Sequence, residues 1–156
     1  MKILLVCTGN TCRSPMAAAM LSKILQDKGA DFEQYHIVSA GLAAGSGWPA
    51  SPGAVYAMQL QGLDISGHRS QPLHQDLVEK ADIILTMTAT QREYMLDKYP
   101  DHMRKIDTLA GMAGETGRDI LDPFGMDAVK YVESASEIKR LMIRVADKLI
   151  SRLDEQ

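Results

Sequence analysis

Apolar and polar positions along the chain alternate between two periods. Lys2-Ile3-Leu4-Leu5-Val6 is a short apolar run, the pattern of a parallel strand buried on both faces. Ala17, Met20, Leu21, Ile24 and Leu25 then recur at offsets of three, four, seven and eight, which is the stripe of an amphipathic helix. Lys28-Gly29 closes that helix with a left-handed cap. His36 to Ala40 predicts a second strand, and Gly41 to Pro52 a loop rich in glycine, serine and proline. A helix is expected from Ser51 to Gln61, with Pro52 in its first turn and Gly62 closing it. A short helix over Gln75 to Lys80 precedes a third buried strand, Asp82 to Met87. A helix over Thr90 to Lys98 and a strand over Arg104 to Leu109 follow. The last helix, Ala128 to Leu153, carries Ile138, Leu141, Met142, Val145, Leu149 and Ile150 on one stripe.

Strands alternating with helices predict an α/β fold, an open parallel sheet with helices on both faces and right-handed connections. In such sheets ligands bind outside the carboxyl ends of the strands. Cys7, Ser39-Ala40-Gly41 and Met87-Thr88 all fall at such ends, so one shared site is expected there. The stretch Ala110 to Met126 has four glycines and little periodicity, so it reads as one long functional loop.

The junction after the first strand, Cys7-Thr8-Gly9-Asn10-Thr11-Cys12-Arg13-Ser14-Pro15, concentrates the chemistry. Ser14 is expected as the helix N-cap and Pro15 as the first helical residue. A loop closed by a helix N-terminus turns backbone N–H groups and the positive dipole end into one concavity, which suits a doubly charged oxyanion such as phosphate. The same field favours thiolate over thiol and makes Cys7 a candidate nucleophile. Arg13 can bring its planar fork to two phosphoryl oxygens. Gly9 lets backbone approach the anion, and Asn10 tolerates a left-handed conformation. A Walker-type loop would need Gly-Lys-Ser/Thr, a dinucleotide loop three spaced glycines, and zinc two further ligands. Two small buried hydrophobes would leave the joint placement of Cys, Arg, Ser and Pro unexplained.

The chain has 156 residues, 46% of them hydrophobic, which is the size of one domain spanning 1–156. Its net charge of -3 argues against general nucleic-acid binding. No apolar run approaches a membrane span, and the N-terminus has no leader-like pattern. Two cysteines, both in the loop, fit a reducing compartment, so a cytoplasmic location is expected.

Cys7-x5-Arg13-Ser14-Pro15, together with Ser39-Ala40-Gly41 and Asp122-Pro123, resembles the low-molecular-weight protein tyrosine phosphatase family over most of the chain. The resemblance implies the strand order 2-1-3-4, no cofactor or metal, phosphorylated proteins as substrates, and a monomer or weak dimer. It implies that Cys7 attacks phosphorus to form a phosphocysteine while Arg13 and the loop residues Thr8 to Cys12 hold the phosphoryl oxygens. The carboxylic acid before proline, Asp122, then protonates the leaving group and serves as base for water. Pro123 biases Asp122 to an extended backbone, which helps to aim its carboxylate inward. Asp119 reads as a solvated loop charge and Asp127 as a helix N-cap. Ser14 also reads as a donor to the Cys7 sulfur. Asn10, Ser14, Ser39 and His68 resemble a network that supports the loop, with a surface histidine as the other reading of His68. Cys12 is either a loop-supporting side chain or a partner for a reversible disulfide with Cys7.

Two positions depart from the tyrosine phosphatase pattern. Thr11 stands where a bulky aliphatic residue is common, and Phe124-Gly125 where many relatives have two tyrosines. A threonine offers a hydroxyl to a guanidinium N–H, so the loop resembles the protein arginine phosphatase branch of the family. Phosphoarginine is therefore favoured over phosphotyrosine. Phe124 is a candidate substrate contact, and Trp48 reads either as a cleft wall or as a partly exposed packing residue. Arsenate reduction on this fold would need further cysteines downstream, which are missing. A catalytically dead binding module would be expected to have lost Cys7, Arg13 or Asp122.

Overall fold

β1 (Lys2–Cys7) runs through the middle of a four-stranded, all-parallel sheet of order β2-β1-β3-β4, formed with β2 (His36–Gly41), β3 (Ile83–Thr86) and β4 (Ile106–Thr108). The computed structural model describes all residues, 1–156. Alternation along β1 decides what covers each face. Ile3, Leu5 and Cys7 point into a large core beneath α1 (Arg13–Asp27), α2 (Pro52–Gln59), α5 (Leu109–Met112) and α6 (Ala128–Asp154). Leu4 and Val6 point the other way, into a smaller core with Val78 of α3 (Gln75–Lys80) and Met95 of α4 (Ala89–Lys98). Both strand order and two-sided cover agree with the sequence expectation.

Element ends differ from the expected ones where side chains intervene. α1 starts at Arg13 with Cys12 at the cap position, so Ser14 is not the N-cap; it lies inside the first turn, where Pro15's missing N–H still costs nothing. The fourth strand begins only at Ile106, because Pro100–Lys105 winds into a 3-10 turn. There Lys105 Nζ donates to the carbonyls of Glu79 and Ala81, at 3.1 and 2.8 Å. The long loop expected from Ala110 begins as α5, capped by Thr108 Oγ1 accepting from Gly111 N. Leu109, Ala110 and Met112 of that turn are buried, which is why it folds onto the core.

The crevice forms where the chain leaves β1 for β2 on one side and returns to β3 on the other, between the carboxyl ends of β1 and β3. The end of β2 presses against it. A Cβ on Gly41 would lie 2.6 Å from the Thr8 carbonyl oxygen and 2.7 Å from Ala44 Cβ, contacts that backbone cannot relieve cheaply. Gly41→Ala is therefore expected to cost about 1–3 kcal/mol, the usual range for overpacking. Urea unfolding of the variant against the parent checks this, and an unchanged midpoint would mean that the strand end yields freely.

Candidate active site

The phosphate loop is held in shape by buried polar groups. Asn10 has φ of 56°, the only non-glycine residue in the left-handed region, as its side chain permits. It is fully buried, and its partners account for every polar group of its side chain. Nδ2 donates to Ser14 Oγ at 2.8 Å and to Ser39 Oγ at 3.0 Å, while Oδ1 accepts from Gln71 N at 2.9 Å. The Asn10 carbonyl oxygen lies 2.7 Å from His68 Nε2. A carbonyl only accepts, so Nε2 carries the proton and His68 is a tie to the loop, not a free surface side chain. Asn10, Ser14, Ser39 and His68 thus converge as the sequence suggested.

Cys7 lies at the floor, 2% exposed, with its thiol free. Its Sγ is 2.9 Å from Ser14 Oγ and accepts from Asn10 N at 3.3 Å. Because Ser14 Oγ already accepts from Asn10, its own proton is available to the sulfur. Arg13 closes the side of the cradle. It is 4% exposed, and Nη1 donates to the Ile120 carbonyl oxygen at 3.1 Å. Its Nε is buried and has no protein partner, a donor costly to leave unmade and suited to an oxyanion.

Asp122 reaches the same place from the loop before α6. Its Oδ2 is 3.3 Å from Arg13 Nη2, and its Oδ1 accepts from Phe124 N at 3.1 Å. The flanking backbone is pinned: Ile120 N donates to the Met87 carbonyl at 3.0 Å, and Ser134 Oγ donates to that of Leu121 at 3.1 Å. Asp119 is exposed, as its sequence context suggested, and its Oδ1 in addition accepts from Ala89 N at 2.9 Å at the start of α4. Asp127 caps α6 by accepting from Lys130 N, as expected.

The cavity above Cys7 is about 490 Å³ and is lined by the loop residues Thr8, Gly9, Thr11 and Cys12, by Asp122 and by the exposed rings of Trp48 and Phe124. A Cβ added at Gly9 would have only Thr11 Oγ1 near it, at 3.8 Å, so backbone is bare at the rim. Trp48 lines the cleft with its indole lying against Gly45, and its backbone N–H donates to Ser70 Oγ at 3.0 Å. The Thr11 hydroxyl has one neighbour of its own, Cys12 Sγ at 3.8 Å.

Sequence reasoning missed the group behind the loop. Cys12 Sγ lies 2.7 Å from Ser51 Oγ and 3.5 Å from the Tyr131 hydroxyl, and Ser51 Oγ donates on to the Thr11 carbonyl at 2.9 Å. Burial pushes the Tyr131 phenol above its ordinary value, which keeps it protonated and a donor. A side-chain bond from Ser51 pulls the other way. Gln91, also missed, is buried and donates to Thr8 Oγ1 at 3.0 Å. Its signal was present, since Thr88-x-x-Gln91 has the spacing of a capping box.

A free thiol beneath backbone N–H groups, an arginine fork and a carboxylic acid aimed across the cleft, at the carboxyl ends of a parallel sheet, together define a cysteine-dependent phosphatase. The chain belongs to the low molecular weight phosphotyrosine protein phosphatase family, whose model matches residues 2–156. It is 38% identical over 138 residues to a probable low molecular weight protein-tyrosine-phosphatase, EpsP, of Ralstonia nicotianae, covering 88% of each chain. It is 34% identical over 149 residues to the protein-arginine-phosphatase of Bacillus subtilis, covering 96% of this chain and 97% of that one. The structure of a YwlE arginine phosphatase mutant with a phosphorylated active-site serine superposes with a TM-score of 0.90 at 34% identity, over 96% of this chain and 95% of the other.

Proposed function

We propose that this chain hydrolyses phosphoarginine in proteins, through a phosphocysteine on Cys7. Thr11 carries the choice of substrate: its hydroxyl stands at the lip of the cavity with no hydrogen-bond partner except a weak one from its neighbour. A guanidinium N–H is a donor that such a hydroxyl can accept, whereas a phenyl ring would strand it. Asp122, 50% exposed and facing the cavity, has a carboxyl lone pair free to accept from a guanidinium N–H. The likeness to the Bacillus protein-arginine-phosphatase points the same way.

In the first step Cys7 Sγ forms a bond to phosphorus as the P–N bond breaks. Arg13 and the loop N–H groups hold the equatorial oxygens, and Asp122 delivers a proton to the departing nitrogen. Asp122 then takes a proton from water, whose oxygen displaces the thiolate and releases inorganic phosphate. Every group comes from one chain, which suits a monomer or weak dimer. No helix is long and apolar enough to cross a membrane. Two free thiols at the site fit work in a reducing cytoplasm.

A second reading, phosphotyrosine, is favoured by the aromatic walls Trp48 and Phe124 and by the likeness to EpsP. Matched phosphoarginine and phosphotyrosine peptides, assayed with the parent and Thr11→Ile, separate the two. The parent is expected to prefer phosphoarginine in kcat/KM, and the variant to lose that preference by roughly 10-fold or more, as one buried hydrogen bond at a specificity site is worth. A parent preference for phosphotyrosine returns the substrate to the second reading.

A further inference from the structure

A buried amide is costly unless its hydrogen bonds are made, and Gln91, 6% exposed in the first turn of α4, makes three. Its Oε1 accepts from Met87 N at 2.9 Å and Thr88 N at 3.1 Å. Its Nε2 donates to Thr8 Oγ1 at 3.0 Å. Capping α4 accounts for the first pair only. The third bond reaches across to the residue that directly follows Cys7.

The strand end that Gln91 grips also anchors the acid. The Met87 carbonyl accepts from Ile120 N at 3.0 Å, and the Ile120 carbonyl accepts from Arg13 Nη1 at 3.1 Å. Asp122 follows two residues later, 3.3 Å from Arg13 Nη2. A parallel tie runs from Asp119 Oδ1 to Ala89 N in the same turn of α4. The nucleophile's loop bonds to the amide directly, and the acid's loop, distant in sequence, bonds to the strand end that the amide grips.

We propose that Gln91 is a positioning residue that sets the placement of Asp122 relative to Cys7. The proposal rests on the roles given above to those two residues. Without the amide, the phosphate cradle keeps its own network through Asn10, Ser14, Ser39 and His68, but the Met87–Thr88 strand end, on which Ile120 and the acid loop hang, loses its tie to Thr8. The loss falls on proton delivery, not on anion binding.

Leaving-group dependence reads that difference. Para-nitrophenyl phosphate releases a stabilised anion that needs little protonation, whereas phenyl phosphate depends on the acid. Gln91→Leu is expected to lower kcat/KM for phenyl phosphate roughly 10-fold, a part of the ~10²-fold that an ångström of misplacement can cost. The para-nitrophenyl value should stay within about 3-fold, with inhibition by inorganic phosphate unchanged. In an Asp122→Ala background, Gln91→Leu should add no further loss, because the acid it positions is gone. Gln91→Met removes the same bonds with nearly the same side-chain volume and should give the same signature, so the idea can be judged even if Gln91→Leu does not fold. Equal losses on both phosphates, or an undiminished Gln91→Leu effect in the Asp122→Ala background, would assign Gln91 to the fold alone. If Asp122→Ala itself left leaving-group dependence at the parent level, the acid would have been misassigned and the proposal would fall with it.

Discussion

Cys7→Ser is expected to abolish turnover of aryl phosphates and of the proposed phosphoarginine substrate alike, with a loss on the order of 10⁴-fold or more, the scale set by removing the nucleophile from other covalent enzymes. The Ser14 hydroxyl and the Asn10 N–H both stand at the Cys7 sulfur, placed to stabilise a thiolate as it attacks and as it leaves. A serine hydroxyl there remains protonated and has no base within its hydrogen-bond set. The second half-reaction suffers equally, since a phosphoserine ester must expel an alkoxide where phosphocysteine expels a thiolate. Any serine that does react therefore stays phosphorylated, and incubation with substrate followed by intact-mass measurement should find one phosphoryl group retained. The fold is expected to survive. The swap is nearly isosteric, and the new hydroxyl inherits the partners at Ser14 and Asn10, so thermal unfolding should shift by only a few degrees. Turnover within about 10-fold of the parent would remove Cys7 from the role of nucleophile.

The layered fold was legible because its signals were local and repeated. The apolar run of β1 and the stripe of α6 each state what they bury, and alternation alone gives an α/β sheet covered on both sides. Strand order came only with the family resemblance, since periodicity says nothing of which strands pair. The cradle was legible for a different reason: Cys7, Asn10, Arg13 and Ser14 lie in one short stretch whose chemistry is bound by spacing. Even there a local rule misled. Ser14 has the composition of an N-cap, but the helix starts two residues earlier than expected, at Arg13, and the hydroxyl faces the sulfur instead.

Long-range ties were illegible for want of any local mark. Nothing near Ser51 or Tyr131 in sequence announces that they converge on Cys12, and Asp119 looked free until α4 was placed beside it. The Ala110 to Met126 stretch was misread as wholly irregular because one buried turn, Leu109–Met112, is too short to show a period. Gly41 is the instructive middle case. Its place at the end of β2 was visible in the motif, while the reason for it, the Thr8 carbonyl 2.6 Å from where a Cβ would stand, is a contact between elements.

Asp122→Ala is expected to lower kcat/KM by roughly 10²–10⁴ for substrates whose leaving group needs a proton, and far less for para-nitrophenyl phosphate. The asymmetry follows from what the carboxylate touches. It meets Arg13 at 3.3 Å and otherwise only the N–H of Phe124, so its removal leaves the nucleophile and cradle intact. Arg13 keeps its bond to the Ile120 carbonyl and loses a competing anion, so inorganic phosphate should inhibit the variant at least as well as the parent. For phosphoarginine the loss should fall within the same range, because its departing nitrogen takes the same proton. Neither Asp119, bonded through Oδ1 at the start of α4, nor Asp127, which caps α6, lines the cavity above Cys7. A variant with parent-like rates on phenyl phosphate would therefore mean that water, not a side chain, supplies the proton, whereas loss of phosphate inhibition in step with activity would mean that Asp122 shapes the cradle instead of serving as its acid.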